Sequence, residues 1–415
     1  MKMNYLNTKF INNITKMNNI IKKTPLEFNY RLSKLYNCNV FLKREDLQIV
    51  RSFKIRGAYN KIRKLKNVNS VVCASAGNHA QGVAYVCNEL NINSNIFIPN
   101  NTPLQKIKKI KQFGNDKCNI HMYGNTFDEC LVEAKDFTNK LNNKINNNIF
   151  IHPFDDLDII EGQGTILDEI YEKINPDIIT CGIGGGGLIS GLCLNSKVNN
   201  RNNLIYGAEA ENCASMKISL ENNKIIKLEN IDTFVDGASV AEIGVNNFNI
   251  CKNNIKDIYE IDNGLVCQEI VDFYDNEGII LEPAGVLGVT SLKYIPDIYG
   301  KTVVCIISGG NNDLTRYPEI MEKYLVYKNL RHYFIIEFYQ KPRELKLFVE
   351  NILNDDDDII RFEYIKKGNK EKDVALVGLD IKKSYDIKTI IHNLKENKFN
   401  FKKIEKNDIL YELLI

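Results

Sequence analysis

The sequence predicts an α/β protein: a mainly parallel sheet covered by helices on both faces, followed by a smaller ferredoxin-like module at the C-terminus. Three observations predict it. From about Val71 to Ile307 short β-rich apolar runs alternate with longer helical stretches, the rhythm of βαβ units. Glycine-rich turns follow the apolar runs directly, where open α/β sheets place their ligands. After about Glu322 the rhythm changes to β-α-β-β-α-β over about 85 residues, the order of a ferredoxin-like module.

Taken in order, VVCA, NIFIP, NIFIH, DIITC, LIYGAEA and TVVCIIS read as strands. Helices fall near Ala80–Leu90, Gln105–Phe113 and Phe127–Leu141. In the tail, HYFIIEFY reads as a strand, and KPRELKLFVENIL as a loop and a helix with Leu345, Phe348, Val349 and Ile352 on one face. The run Asp355–Asp358 is a loop. IIRFEYIK and DVALVGLDI are strands, TIIHNLKEN is a helix, and a weaker strand closes the chain. The domain boundary falls between residues 322 and 330, giving 1–325 and 330–415, with a smaller lobe at about 65–155 in the first.

At roughly 150 residues per domain, 415 residues allow two to three domains. Lys plus Arg number 54 and Asp plus Glu 52, so the net charge of +2 lacks the basic surplus of an electrostatic nucleic-acid binder. Mean hydropathy is −0.26 and no apolar run would span a bilayer, so no membrane partner is expected. The basic N-terminus lacks an apolar core segment and a cleavage site, so it reads as no secretory signal. Eleven cysteines, an odd number without a C-x-x-C pair, several inside apolar runs, read as buried reduced thiols of a cytoplasmic protein.

Four motifs carry chemistry. In LKREDLQIVRSFKIRGAYNKI, Lys54 follows Phe53 and opens a helix, whose positive end disfavours the charged amine. A depressed lysine pKa is what a Schiff-base amine needs. On this motif alone, an ordinary surface lysine is the better reading. In CASAGNHAQGVA a strand end feeds a helix through Ser75, Ala76, Gly77, Asn78 and His79, forming an anion site suited to a carboxylate or phosphate. A plain capped loop is the alternative. In TCGIGGGGLISG, Gly184, Gly185, Gly186 and Gly187 lie between a strand and an apolar helix starting with Leu188. Bare backbone amides there make a phosphate nest, and the flanking elements argue against a flexible linker. No Lys-Ser or Lys-Thr follows, so it is not a Walker A loop. In VVCIISGGNND, Ser308 ends a strand, where its hydroxyl can meet a heteroaromatic nitrogen or simply cap a turn.

Together, and in this order, these motifs resemble those of the fold-type II pyridoxal-phosphate enzymes, and within them the threonine dehydratases. The resemblance runs through KREDLQ-x-x-RSFK-x-RGAY, SAGNHAQGVA, FD-x-x-x-x-x-x-GQGT, GGGGL, EPAGV and SGGNND. It implies a two-lobed, tryptophan synthase β-like catalytic region. The tail resembles the single ACT-like regulatory domain of the biosynthetic short form.

The resemblance implies that Lys54 holds pyridoxal 5'-phosphate as a Schiff base and then takes the Cα proton. Phe53 packs near the ring, and Asn78 bonds the ring hydroxyl oxygen. The amides of Gly184 to Leu188 hold the phosphate, and Ser308 meets the pyridine nitrogen. Ser75, Gly77, Asn78 and His79 grip the substrate carboxylate. A serine on the nitrogen gives a weaker electron sink than an aspartate, suited to prompt β-elimination of water from L-threonine. L-Serine is a second expected substrate, isoleucine or valine an expected effector, and a homotetramer the expected assembly.

The departures are informative. Serine racemase, similar in its catalytic region, carries a second-face Ser where Ala76 stands here, so two-base racemisation is disfavoured. Glu209 matches the first ligand of that enzyme's divalent ion, but Ser215 replaces its Asp, so no such metal is expected. The usual P-G-A-L turn of the regulatory module reads Pro342-Arg343-Glu344-Leu345, which puts effector binding in question. The competing readings are a degradative serine/threonine dehydratase, which usually lacks the module, and a non-catalytic ligand-binding homologue. A cysteine synthase-like enzyme fits less well, because its SAGNH and KRED strings differ.

Overall fold

The computed structural model describes residues 20–142, 147–364, 371–406 and 408–414. The amino-terminal stretch read as no signal and the last two residues of IIRFEYIK lie outside them. The chain divides into two compact units, Met1–Asp313 and Leu314–Ile415. The second unit takes in the helix Tyr317–Tyr327, so it starts ahead of the boundary expected between 322 and 330.

The first unit holds two sheets. The larger, in spatial order, is β1 (Leu26–Phe28), β2 (Asn39–Arg44), β10 (Thr302–Ile307), β7 (Ile178–Gly182), β8 (Leu204–Ala210) and β9 (Asp257–Ile261). Only β1 runs antiparallel to its neighbour. The smaller is wholly parallel, ordered β5 (Cys118–Met122), β4 (Asn93–Ile98), β3 (Ser70–Ala74), β6 (Asn148–Phe150). Val71, Val72, Cys73 and Ala74 are fully buried, as strands covered on both faces require. The three expected helices run Asn78–Glu89, Leu104–Gly114 and Phe127–Leu141.

Chemistry-bearing loops leave the carboxyl ends of these strands: Ser75 after β3, His152-Pro153-Phe154 after β6, Gly184–Gly187 after β7 and Ser308 after β10. The helix Leu157–Tyr171 packs between two others without side chains at the crossings. A Cβ on Gly162 would lie 2.6 Å from the Arg56 carbonyl of the helix Lys54–Ile62. One on Gly164 would lie 2.6 Å from the Gly191 carbonyl of the helix Gly187–Val198. All eleven cysteines are thiols, ten of them buried and Cys118 half-buried.

The second unit is a four-stranded antiparallel sheet ordered β12 (Asp358–Tyr364), β13 (Lys372–Asp380), β11 (Arg331–Tyr339), β14 (Phe401–Ile404). The helices Glu344–Ile352 and Asp386–Glu396 build its core with the sheet. This is the ferredoxin-like order. The apolar face of the first helix differs from expectation: Phe348 and Ile352 are buried, but Leu345 and Val349 are 47% and 44% exposed. The buried line runs through Glu344, Phe348 and Ile352 at four-residue spacing, which turns Leu345 and Val349 to the edge of the contact. A short helix, Ile409–Leu414, follows the last strand.

Candidate active site

Lys54 is the first residue of its helix and is half-buried. Nζ donates to the Pro153 carbonyl at 3.1 Å and lies 5.4 Å from the Phe53 ring centroid. Burial lowers its pKa to about 8, with the Glu282 carboxylate pulling the other way. Burial, more than the helix terminus expected from sequence, thus disfavours the ammonium form.

The other motifs converge on this lysine through a chain of contacts. The Phe53 amide donates to the Ser308 carbonyl at 3.1 Å, which sets the end of β10 beside the start of the Lys54 helix. Ser308 is buried and its Oγ donates to the Ala284 carbonyl at 3.1 Å. On the other side, Pro153 leads to Phe154, whose ring lies against Gly185: a Cβ there would be 2.3 Å from the ring. Gly186 has φ +92°, and a Cβ on it would crowd Met216 and Asn247. Side chains are therefore excluded from the loop, and the first amides of the 12-residue helix Gly187–Val198, including that of Leu188, lack intrahelical acceptors. Together with a half-buried amine that makes no salt bridge within 4 Å among the described residues, this bare loop fits a phosphate-bearing aldehyde cofactor.

The Ser75–His79 loop contributes differently residue by residue. Ser75 Oγ accepts from the Gly77 amide at 3.2 Å. Gly77 is the N-cap of the helix Asn78–Glu89 and makes no side-chain cap bond, so the alternative of a side-chain-capped helix gives way to a bare helix start. The His79 ring is buried with Nε2 3.0 Å from the Ile151 carbonyl, and burial pushes its pKa down to about 3. A neutral ring thus faces the core, so any hold of His79 on a carboxylate falls to its backbone.

Asn78 leads to Glu282 and Asn311, which lie in the EPAGV and SGGNND strings but were given no role from sequence. Its Nδ2 donates to Glu282 Oε1 at 2.7 Å, and its Oδ1 accepts from Asn311 Nδ2 at 2.7 Å. Burial raises the Glu282 pKa to about 7, opposed by the Asn78 hydrogen bond. A Cβ on Gly309 would lie 2.0 Å from Glu282 Oε1, so the Gly after Ser308 makes room for this carboxylate. The signal was present in sequence: Glu282 is a lone acid in the apolar run ILEPAGVLGV. Glu209 is fully buried and accepts from the Met216 and Lys217 amides, each at 2.9 Å, while Ser215 Oγ donates to the Val240 carbonyl.

A half-buried lysine between an aromatic residue and a glycine-rich loop, at the carboxyl ends of a parallel sheet, defines an enzyme built around pyridoxal phosphate. The pyridoxal-phosphate-dependent enzyme family matches residues 17–309, and the C-terminal regulatory domain of threonine dehydratase matches residues 322–414. The chain is 44% identical to the biosynthetic L-threonine dehydratase IlvA of Halalkalibacterium halodurans, covering 96% of each chain. It is 44% identical to that of Staphylococcus aureus strain N315, again over 96% of each. Among solved structures, processed threonine deaminase isoform 2 of Solanum lycopersicum is similar at TM-score 0.71 and 34% identity, over 77% of this chain and 93% of that one. Maize serine racemase is similar at 0.68 and 27%, over 77% and 97%. The chain belongs to the biosynthetic threonine dehydratases, a family of pyridoxal-phosphate-dependent lyases.

Proposed function

We propose that the protein is an L-threonine ammonia-lyase that eliminates water from L-threonine to give 2-oxobutanoate and ammonia, the first step of isoleucine biosynthesis, and that it also acts on L-serine. The observation that carries this reading is the half-buried Lys54 amine, donating to the Pro153 carbonyl beside the Phe53–Ser308 contact, with its pKa lowered to about 8. When bound, pyridoxal 5'-phosphate supplies a conjugated ring that accepts the electron pair left at Cα.

Lys54 would hold the cofactor and, once displaced by the substrate amine, take the Cα proton on Nζ. An amine with a pKa near 8 is a competent base close to neutral pH. Loss of that proton and of the β-hydroxyl, which leaves as water, produces an unsaturated amine that hydrolyses to 2-oxobutanoate and ammonia. The amides of Gly184, Gly185, Gly186, Gly187 and Leu188 would hold the phosphate, Ser308 the ring nitrogen and the Asn78 amide the ring hydroxyl oxygen. Phe53 would flank the ring. The backbone of Ser75, Gly77, Asn78 and His79 at its helix start would hold the substrate carboxylate.

The compact units, which divide after Asp313, support a catalytic region that ends earlier than 325 and holds a smaller lobe at about 65–155, followed by a regulatory module that takes in 330–415. Membership of the family supports isoleucine or valine as effector of that module, a homotetramer and residence in the cytoplasm. No helix among the described residues is long and apolar enough to cross a membrane.

Lys54→Ala tests the assignment: it should remove the visible absorbance of the holoprotein and lower threonine turnover by orders of magnitude. Turnover within about tenfold of the parent would refute it.

A further inference from the structure

Two residues past Lys54, Arg56 is fully buried and uses its whole guanidinium. Nε and Nη2 donate to the two oxygens of Glu45, each at 2.7 Å. Nη1 and Nη2 donate to those of Glu169 at 2.7 and 3.0 Å, and Nη1 also to Thr165 Oγ1 at 3.2 Å. Lys43, 1% exposed, donates to Glu169 Oε2 at 2.5 Å and to the Thr24 carbonyl at 2.8 Å. Thr24 Oγ1 closes the cluster on Glu45 at 2.5 Å. Two cations and two carboxylates therefore sit in the interior with a net charge of zero.

The cluster joins three elements: the end of β2 with the turn after it (Lys43, Glu45), the helix Lys54–Ile62 (Arg56) and the helix Leu157–Tyr171 (Thr165, Glu169). Residues two apart on a helix point in different directions. Arg56 thus grips the interior while Lys54 faces the site. Burial works against the Glu45 carboxylate, but Arg56 outweighs it and holds its pKa below the usual range. Burial pushes the Lys43 ammonium down, and the Glu45 and Glu169 carboxylates beside it pull it back up. The charges that face Lys54 itself are few: Glu282 acts on it directly, and the neighbouring rings of His79 and His152 are kept neutral, since burial lowers their pKa values to about 3 and about 4.

We infer that Arg56 is a positioning residue for the reaction: with Lys43, Glu45 and Glu169 it fixes the start of the Lys54 helix, and the zero net charge of this cluster adds no net field at the Lys54 amine. The inference rests on Lys54 being the reactive amine. Removing one cation leaves a net charge of −1, which favours the lysine ammonium; removing one carboxylate leaves +1, which disfavours it. A unit charge about 10 Å away, the reach expected from helix geometry, shifts the proton affinity by about one pH unit at an effective dielectric of about 20.

The test is the acid limb of kcat for L-threonine in the full-length holoenzyme, which reports the base in the substrate complex. Arg56→Gln should move this limb about one pH unit upward, Glu169→Gln about one unit downward, and the double variant should return it near the parent. The same signs should appear in the pH dependence of Lys54 reductive methylation in the cofactor-stripped chain, read by mass spectrometry. Circular dichroism checks folding; if Arg56→Gln does not fold, Lys43→Gln supplies the net −1 and must shift the limb upward. A merely structural cluster would lower activity without signed shifts, so an unmoved limb, or shifts of one sign in all variants, overturns the inference. Lys54→Ala separates the two failures: if it keeps turnover, the assignment of Lys54 itself falls.

Discussion

Arg343 has φ +74°, in the left-handed region that glycine occupies at little cost, and it is the N-cap of the helix Glu344–Ile352. It stands where the resemblance puts the Gly of a P-G-A-L turn, and it takes a conformation that glycine adopts more readily. Arg343→Gly should stabilise the full chain by about 1 kcal/mol, measured by urea unfolding. A destabilised variant would show that the arginine side chain makes up for the strain. Glu282 makes a second residue-scale prediction. Its pKa is raised from 4.5 to about 7, so its contribution to stability is fully present below pH 4.5 and lost as pH rises through 7. At 1.36 kcal/mol per unit the loss is roughly 3 kcal/mol at most. Glu282→Gln in the cofactor-stripped chain should therefore lose less stability than the parent between pH 5 and pH 8. An identical pH dependence would mean that Glu282 does not carry that cost.

At the scale of elements, the helix Leu157–Tyr171 determines the geometry of the site while touching none of the proposed reacting groups. It meets the Lys54 helix through Gly162 and the glycine-loop helix through Gly164. Gly164→Ala should cost about 1–3 kcal/mol of stability, because the new Cβ meets the Gly191 backbone, which cannot step aside. It should also weaken cofactor retention, measured by dialysis and absorbance. At the start of the same helix the Asp156 carboxylate accepts from the Asp158 and Ile159 amides. Asp156→Ala should cost about 1 kcal/mol, read as a shift in the urea midpoint. The GQGT string that carries these glycines was conspicuous in sequence, but its role was not. Periodicity shows that a stretch is helical, yet not which helices its glycines approach. The same holds for Arg56 and Glu45, legible as RSFK-x-RGAY and KRED but paired only once the fold brings them together with Glu169, 113 residues further on. What was legible were the local signals: strands rich in β-branched residues, glycine turns after them and the position of Lys54 at a helix start.

For the whole molecule, the test of regulation is a comparison of two chains. A chain ending at Asp313 retains the first compact unit, with both of its sheets and the proposed reacting groups. It should turn over threonine without responding to isoleucine, whereas the full chain should lose apparent threonine affinity by roughly 5- to 150-fold, the usual span of an allosteric coupling. Equal inhibition of both would place the sensor in the first unit. The truncation point comes from the structure: the helix Tyr317–Tyr327 carries no periodicity that assigns it to either side. Glu322 on that helix accepts from Arg331, Tyr333 and Tyr411, all within the second unit.

Every cysteine, from Cys38 to Cys305, belongs to the first unit, and the residues from Leu314 onward contain none. Ten of the eleven are buried, and burial pushes thiols such as those of Cys73, Cys181 and Cys305 up, far from the thiolate that reacts. The distribution amounts to an internal clock. A small alkylating reagent can reach the ten buried sulfurs only when the first unit opens, so uptake beyond that of the half-buried Cys118 counts excursions of that unit and is blind to the module. Tyrosines, in contrast, occur in both units. Following alkylation by intact mass while tyrosine emission is recorded on the same sample would time the two units separately, without a label or a cut in the chain.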